Sequence, residues 1–366
     1  MQFTIIGLPY SGKTTVFNAL TGAREPVGQF GVYVPGEVKP NVAVVRVPDR
    51  RLDVLAAIFH PRKVTPADVT YADVAGIGLT RERGVSGELL THLSRADALL
   101  HVVRAFMDPN VPHVEGSVDP LRDIAAVHLE LVFSDLAIIE RRLQRLQEML
   151  PKLRPDEREP GQREQGVLAR LKEGLEQEIP IRALDLTEEE ERAIRHYQFL
   201  TAKPMLILLN VGEEQLGDRS LEAEVQARYK WPGTKVAELC GKIEMELGRL
   251  APEDVPEFLA GLGIEEPARD RVIRLSYELL GVISFFTGGP VEVRAWTVRR
   301  GTTAVRAAGT VHSDMERGFI RAEVVAFDDL ARVGSIAEAR RQGLLHVEGR
   351  NYIVQDGDVI NFLFSV

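Results

Sequence analysis

Gly7-Leu-Pro-Tyr-Ser-Gly12-Lys13-Thr14 follows the apolar run Phe3–Ile6 and precedes Thr15-Val-Phe-Asn-Ala-Leu20. The order is strand, glycine loop, helix, which is the setting a phosphate-binding loop requires. Two glycines let the backbone curl until successive N–H groups point inward at phosphate oxygens. The helix that follows brings its positive dipole end to the same spot. Pro9, Tyr10, Ser11, Gly12, Lys13, Thr14 and Thr15 are therefore the expected phosphate-contacting residues. Lys13 is expected to reach the β- and γ-phosphates as a catalytic charge, and the Thr14 hydroxyl to ligate Mg²⁺.

Composition bounds what can surround this loop. The chain has 366 residues, 45% hydrophobic and 27% charged, which describes a soluble globular protein of two or three domains. No apolar run approaches the roughly 18 residues of a membrane span, so no membrane partner is expected. The N-terminus opens a strand and lacks the basic region of a signal peptide. One cysteine, Cys240, excludes an internal disulfide framework and suits a reducing cytoplasm. A net charge of −9 argues against bulk nucleic-acid binding, though not against a local basic surface.

Residues 1 to about 125 alternate strand and helix patterns. Val42–Val47, Val69–Ala72 and Ala98–Val103 read as buried strands, with helices over Arg50–Phe59 and Gly87–Leu93. That alternation predicts a parallel sheet covered on both faces. Val132, Leu136, Ile139, Leu143, Leu146 and Leu150 then form a heptad seam. Pro151 to Gly166 is expected to break it, and Leu168, Leu171 and Leu175 resume it. The result is an antiparallel coiled-coil arm, either a solvated, salt-bridged surface or a partner-binding arm. Pro204–Leu209 returns to a buried strand, so the arm is an insertion. From Ile283 onward, short strands and glycine turns at Gly301, Gly309, Gly349 and Gly357 predict a separate small α+β domain.

Two further stretches belong to the nucleotide site. Tyr71-Ala-Asp73-Val-Ala-Gly76 ends a strand, where α/β sheets bind ligands. Asp73 is expected to hold Mg²⁺ through water and the Gly76 N–H to sense the γ-phosphate. Asn210-Val211-Gly212-Glu213 ends the strand Met205–Leu209, where G-proteins carry Asn-Lys-x-Asp to read guanine. Glu in place of Asp, and Val in place of Lys, compromise that geometry. Ile77 stands where Ras-like proteins place the glutamine that orients water, and no Thr or Ser lies between Gly22 and Val64 to complete the metal shell. Glu37 occupies that region instead.

With these parts in view the chain resembles the YchF family, Obg-related P-loop ATPases. The resemblance runs the whole length: the phosphate loop, Asp73-Val-Ala-Gly76, His101-Val-Val-Arg104, His113-Val-Glu-Gly116, Asn210-x-x-Glu213, Glu292–Thr297, His312–Glu323 and Gln355–Asp358. It implies an α/β fold: a Ras-like P-loop nucleotide domain (1–125 and 196–280), an inserted coiled-coil arm (126–195) and a C-terminal β-grasp TGS domain (281–366). It implies ATP as the nucleotide, with GTP the alternative, and slow Mg²⁺-dependent hydrolysis. It also implies ribosome association in translation or stress responses, with RNA contact through the TGS domain or the arm. His113 is the position matching the histidine that the family uses in place of glutamine. The rival readings are a GTPase of the translation-factor type and a nucleotide sensor that does not hydrolyse.

Overall fold

The computed structural model describes residues 1–23, 40–74, 87–251 and 253–365. Glu37, Gly76, Ile77 and the segment 78–84 lie outside the described residues. The chain divides into two compact units, one of Met1–Val44 and Thr70–Leu275, the other of Val45–Val69 and Ser276–Val366.

The first unit is built on a six-stranded sheet in the order Asn41–Arg46, Asp68–Asp73, Gln2–Ile6, Ala98–Arg104, Met205–Asn210, Thr234–Leu239. The last five run parallel. Ala98–Arg104 and Met205–Asn210 are buried along their whole length, as continuous apolar runs in a sheet covered on both faces must be. The strand near Val42 departs from expectation. It alternates, with Val42 54% and Val44 65% exposed, because it lies at the sheet edge.

The long helix Pro120–Met149 starts six residues earlier than expected for the insertion. Asp119 accepts a hydrogen bond from Arg122 N at 3.1 Å, and Pro120 takes the first helical position. Ile124, Val127 and Leu131 pack into the sheet's core; Val132, Ile139 and Leu146 pack instead with Leu168, Leu171 and Leu175. One continuous helix thus leaves the nucleotide domain and becomes half of an antiparallel helical pair with Pro155–Glu176. Arg142–Glu164 at 2.7 Å and Lys172–Glu140 at 2.8 Å bridge the two helices. Buried Asp135 ties the pair's base down by accepting from Leu200 N, Thr201 N and the Thr201 hydroxyl.

The expected break over 151–166 shrinks to the turn at 150–154. Pro155 sits at the first helical position, which needs no donor. Pro160 falls in the second turn, where it forfeits one intrahelical bond. Gly161 lies against Leu150: a Cβ there would come within 2.6 Å of Leu150 Cδ2 and displace the leucine side chain.

The second unit holds a mixed sheet in the order His346–Glu348, Phe319–Ala326, Asp358–Phe364, Val282–Gly288, Glu292–Arg299, Lys63–Thr65. The last of these strands is parallel to Glu292–Arg299 and comes from a segment of sequence expected to belong to the nucleotide domain. The helix Arg51–Phe59 comes with it. Leu52 and Leu55 are buried, and Arg51 pairs with Asp49 and Asp356 at 2.8 Å each while its guanidinium lies 4.9 Å over the Phe286 ring. Sequence order hides this exchange, because an alternating pattern of strand and helix says nothing about which sheet each strand joins. The helix Ala304–Val311 covers a core that includes Phe285, Val298, Val324 and Ile360. Gly309 lies inside that helix, not in a turn. Tyr352–Val354 forms no strand beyond an isolated bridge between Thr303 and Ile353. No helix among the described residues is long and apolar enough to cross a membrane.

Candidate nucleotide site

Five parallel strands bring their carboxyl ends to one edge of the sheet, the edge at which open α/β sheets bind ligands. Along it lie the phosphate loop, Asp73, Arg104, Asn210 and Cys240-Gly241, each at or just past the end of a strand.

The loop is a built cradle. Gly12 caps the helix Lys13–Thr21 with φ at 89°, the left-handed region that favours glycine, and a Cβ there would meet Asn210 Nδ2 at 2.3 Å. Tyr10 also has positive φ, at 64°, a conformation that costs a tyrosine more than an asparagine. Ser11 N donates to Leu8 O at 3.3 Å and Val16 N to Gly12 O at 2.9 Å. Pro9 is partly exposed at the rim of the loop, and Thr15 lies close to Gly241.

Lys13 Nζ donates to Gly7 O at 3.1 Å and Leu8 O at 2.9 Å, folded back on its own loop. Burial lowers its pKa to about 8, with the charge of Asp73 pulling it partly back. Thr14 Oγ1 donates to Asp73 Oδ2 at 2.9 Å. The two sequence motifs, 59 residues apart, therefore meet as a hydroxyl and a carboxylate beside the lysine. That all-oxygen pair suits Mg²⁺, which takes one or two protein oxygens and completes its shell from phosphates and water. Among the described residues no group of three or more His, Cys, Asp or Glu forms a metal cage of its own.

At the base end, Asn210 is committed to the fold. Its Nδ2 donates to Ser11 O at 3.1 Å, and its Oδ1 accepts from Gly241 N at 3.1 Å. Val211 is 4% exposed, and its N donates to Leu239 O at 3.1 Å. Glu213 remains accessible and pairs with Lys242 at 2.5 Å. Gly241 and Lys242 escaped the sequence reading. The signal was present, since Val236-Ala-Glu-Leu239 is a mostly apolar strand followed by Cys-Gly-Lys, the same strand end as the other site segments.

His113 is placed differently from the role expected of it. Its Nε2 pairs with Asp123 Oδ2 at 2.9 Å, and its Nδ1 accepts from Glu115 N at 3.1 Å. Asp123 also takes Arg122 through its other oxygen. Both ring nitrogens are engaged, so in this conformation His113 fastens its loop to the first turn of the long helix. Arg104 holds the same loop, donating to the carbonyls of Phe106, Asp108, Val111 and Pro112. His101, unexpected as a site residue, is 2% exposed beneath the loop, and burial next to Lys13 and His128 drives its pKa down to about 3. It is therefore neutral.

A sheet of this order, with this cradle and a hydroxyl–carboxylate pair beside the lysine, defines a P-loop nucleotide-binding protein of the GTPase fold. A family model described as a 50S ribosome-binding GTPase matches residues 2–133, and one for the C-terminal region of YchF GTPases, described as a protein of unknown function, matches 282–365. The chain belongs to the YchF family. It is 41% identical to the ribosome-binding ATPase YchF of Bacillus subtilis, covering 99% of this chain and 98% of the relative. The protein of that name from Escherichia coli O157:H7 is 39% identical over the same shares. The structure of the Schizosaccharomyces pombe YchF GTPase superposes with a TM-score of 0.84 at 30% identity, covering 99% of this chain and 97% of that one.

Proposed function

We propose that this chain is an ATP-binding switch with slow, Mg²⁺-dependent ATP hydrolysis that associates with the ribosome in the cytoplasm. The observation that carries the choice of base is the state of Asn210-Val-Gly-Glu213. The asparagine amide is bonded to Ser11 O and Gly241 N, Val211 is buried, and the acid of the stretch is a glutamate tied to a lysine. A guanine presents two adjacent donors to a carboxylate, and a site that does not pair both disfavours it. The full-length likeness to relatives named ribosome-binding ATPases supports the nucleotide and the partner.

In this reading Pro9 to Thr15 hold the phosphates, and Lys13 leaves the Gly7 and Leu8 carbonyls to take the β- and γ-phosphate oxygens. Thr14 and Asp73 would hold Mg²⁺, which would supply positive charge against the phosphates when bound. The Gly76 N–H is assigned to the γ-phosphate. Val211 and Glu213 line the base. His113 orients water only after giving up Asp123, which makes hydrolysis slow in the absence of a partner. The three-part organisation follows the family: a nucleotide domain, a helical arm over 126–195, and a TGS domain over 281–366 that takes in the segment 45–69. The TGS domain or the arm supplies any RNA contact.

A competition titration with Mg²⁺–ATP and Mg²⁺–GTP tests the base. At least tenfold tighter binding of ATP is expected, about 1.4 kcal/mol, and equal affinities or a GTP preference refute the reading. The S. pombe relative is named a GTPase, so GTP stands as the second reading that the same titration decides. Single-turnover hydrolysis with and without ribosomes separates a slow enzyme from a sensor that never turns over.

A further inference from the structure

We propose that Lys242 sets the choice of base by occupying one oxygen of Glu213. The inference rests on the reading of the site as an adenine site and names the residue that enforces it.

Glu213 and Lys242 follow the ends of the neighbouring strands Met205–Asn210 and Thr234–Leu239, joined there by the bond from Val211 N to Leu239 O. Lys242 follows Gly241 in the helix Gly241–Leu247, and its Nζ lies 2.5 Å from Glu213 Oε1. Both side chains stay accessible, 71% for the lysine and 48% for the glutamate, and Glu213 is the residue that the adenine reading puts against the base. Asn210 and Val211 are already committed to the fold. The base edge is left to this ion pair.

A carboxylate recognises guanine by accepting from N1–H and the 2-amino group together, which takes both oxygens. With the ammonium on Oε1, Glu213 presents Oε2 free and Oε1 shared with Lys242. The free oxygen satisfies a single donor such as the 6-amino group of adenine, whereas the second donor of guanine has to compete with the ammonium for Oε1. Lys242 also neutralises the charge that would draw two N–H donors. It acts through Glu213, and is a positioning residue for base selectivity.

The test measures Kd for Mg²⁺–ATP and Mg²⁺–GTP on the full chain and on Lys242→Met, Lys242→Arg, Glu213→Gln, and Glu213→Gln combined with Lys242→Met. The readout is the ratio of the two constants, which a general loss of folding or of phosphate binding does not move. Lys242→Met should shift the ratio toward GTP by roughly fivefold, about 1 kcal/mol, at the upper end of what exposed ion pairs contribute. Lys242→Arg should keep the parental ratio, and Lys242→Met should have no further effect in the Glu213→Gln background. A ratio within twofold of the parent in Lys242→Met overturns the inference, as does an equal shift in the Glu213→Gln background. A parental protein without an ATP preference refutes the adenine reading itself. A parental preference that ignores Lys242 overturns only the role of the lysine.

Discussion

Asn210 and Ser11 are 199 residues apart in sequence, and the amide of one donates to the carbonyl of the other at 3.1 Å. The residue expected at the base clamps the phosphate loop, with Gly241 as its second anchor. Removing the amide leaves the buried Ser11 carbonyl and Gly241 N–H unpaired, at about 1–3 kcal/mol for each. Asn210→Ala should lower nucleotide affinity at least tenfold and reduce the Tm of the free protein. Asn210→Asp keeps the shape but sets an oxygen against Ser11 O, and should do at least as much damage. If calorimetry found the aspartate variant as stable and as tight as the parent, Asn210 would be only a space filler.

Lys13 donates to two carbonyls of its own loop, and phosphate oxygens would take its third N–H or compete for those two. Lys13→Ala removes a charge-assisted contact of about 1.5–3 kcal/mol. Nucleotide affinity or turnover should fall at least tenfold. Isothermal titration and a phosphate-release assay that both returned parental values would remove the loop from the site.

His101 gives the site a pH dependence of known sign. Its folded pKa, about 3, lies below the ordinary histidine value because burial and the neighbouring Lys13 charge oppose protonation. The unfolded chain therefore binds a proton that the folded chain does not. Full stability from this group is present above pH 6.5 and is lost as pH falls toward 3. His101→Leu should flatten the fall between pH 6.5 and 4 by about 1.4 kcal/mol per pH unit, the linkage of one proton. Urea unfolding at a series of pH values reads this directly, and parallel curves for the two proteins would show that His101 is not the group responsible.

The segment Val45–Val69 folds as part of the C-terminal unit. Deleting residues 283–366 strips Lys63–Thr65 of its strand partner and uncovers Leu52 and Leu55, so the truncated chain should aggregate or unfold. Leu55→Ala in the full chain should cost about 2–5 kcal/mol, the range for a fully buried leucine. A truncated protein that unfolded with an undiminished Tm, or a cost under about 1 kcal/mol for Leu55→Ala, would mean that the segment is held elsewhere.

The sequence by itself determined the strand–loop–helix at Gly7–Thr14, the strand end at Asp73, the altered Asn210–Glu213 stretch and the heptad seam. Each rests on a local period or a short spacing, and these are properties of a chain before it folds. What only the tertiary structure decided are the matters of who pairs with whom. Sheet registration put Lys63–Thr65 beside Glu292–Arg299. It also brought Gly241 and Lys242 to the site and turned Asn210 into a clamp. Packing against Leu150 set Gly161, with Pro160 before it, inside a helix that proline and glycine alone argue against. Burial next to Lys13 kept His101 neutral, and the Asp123 carboxylate engaged His113. Partners far apart in sequence are chosen by burial and hydrogen-bond satisfaction across the whole fold, and no local pattern carries that information.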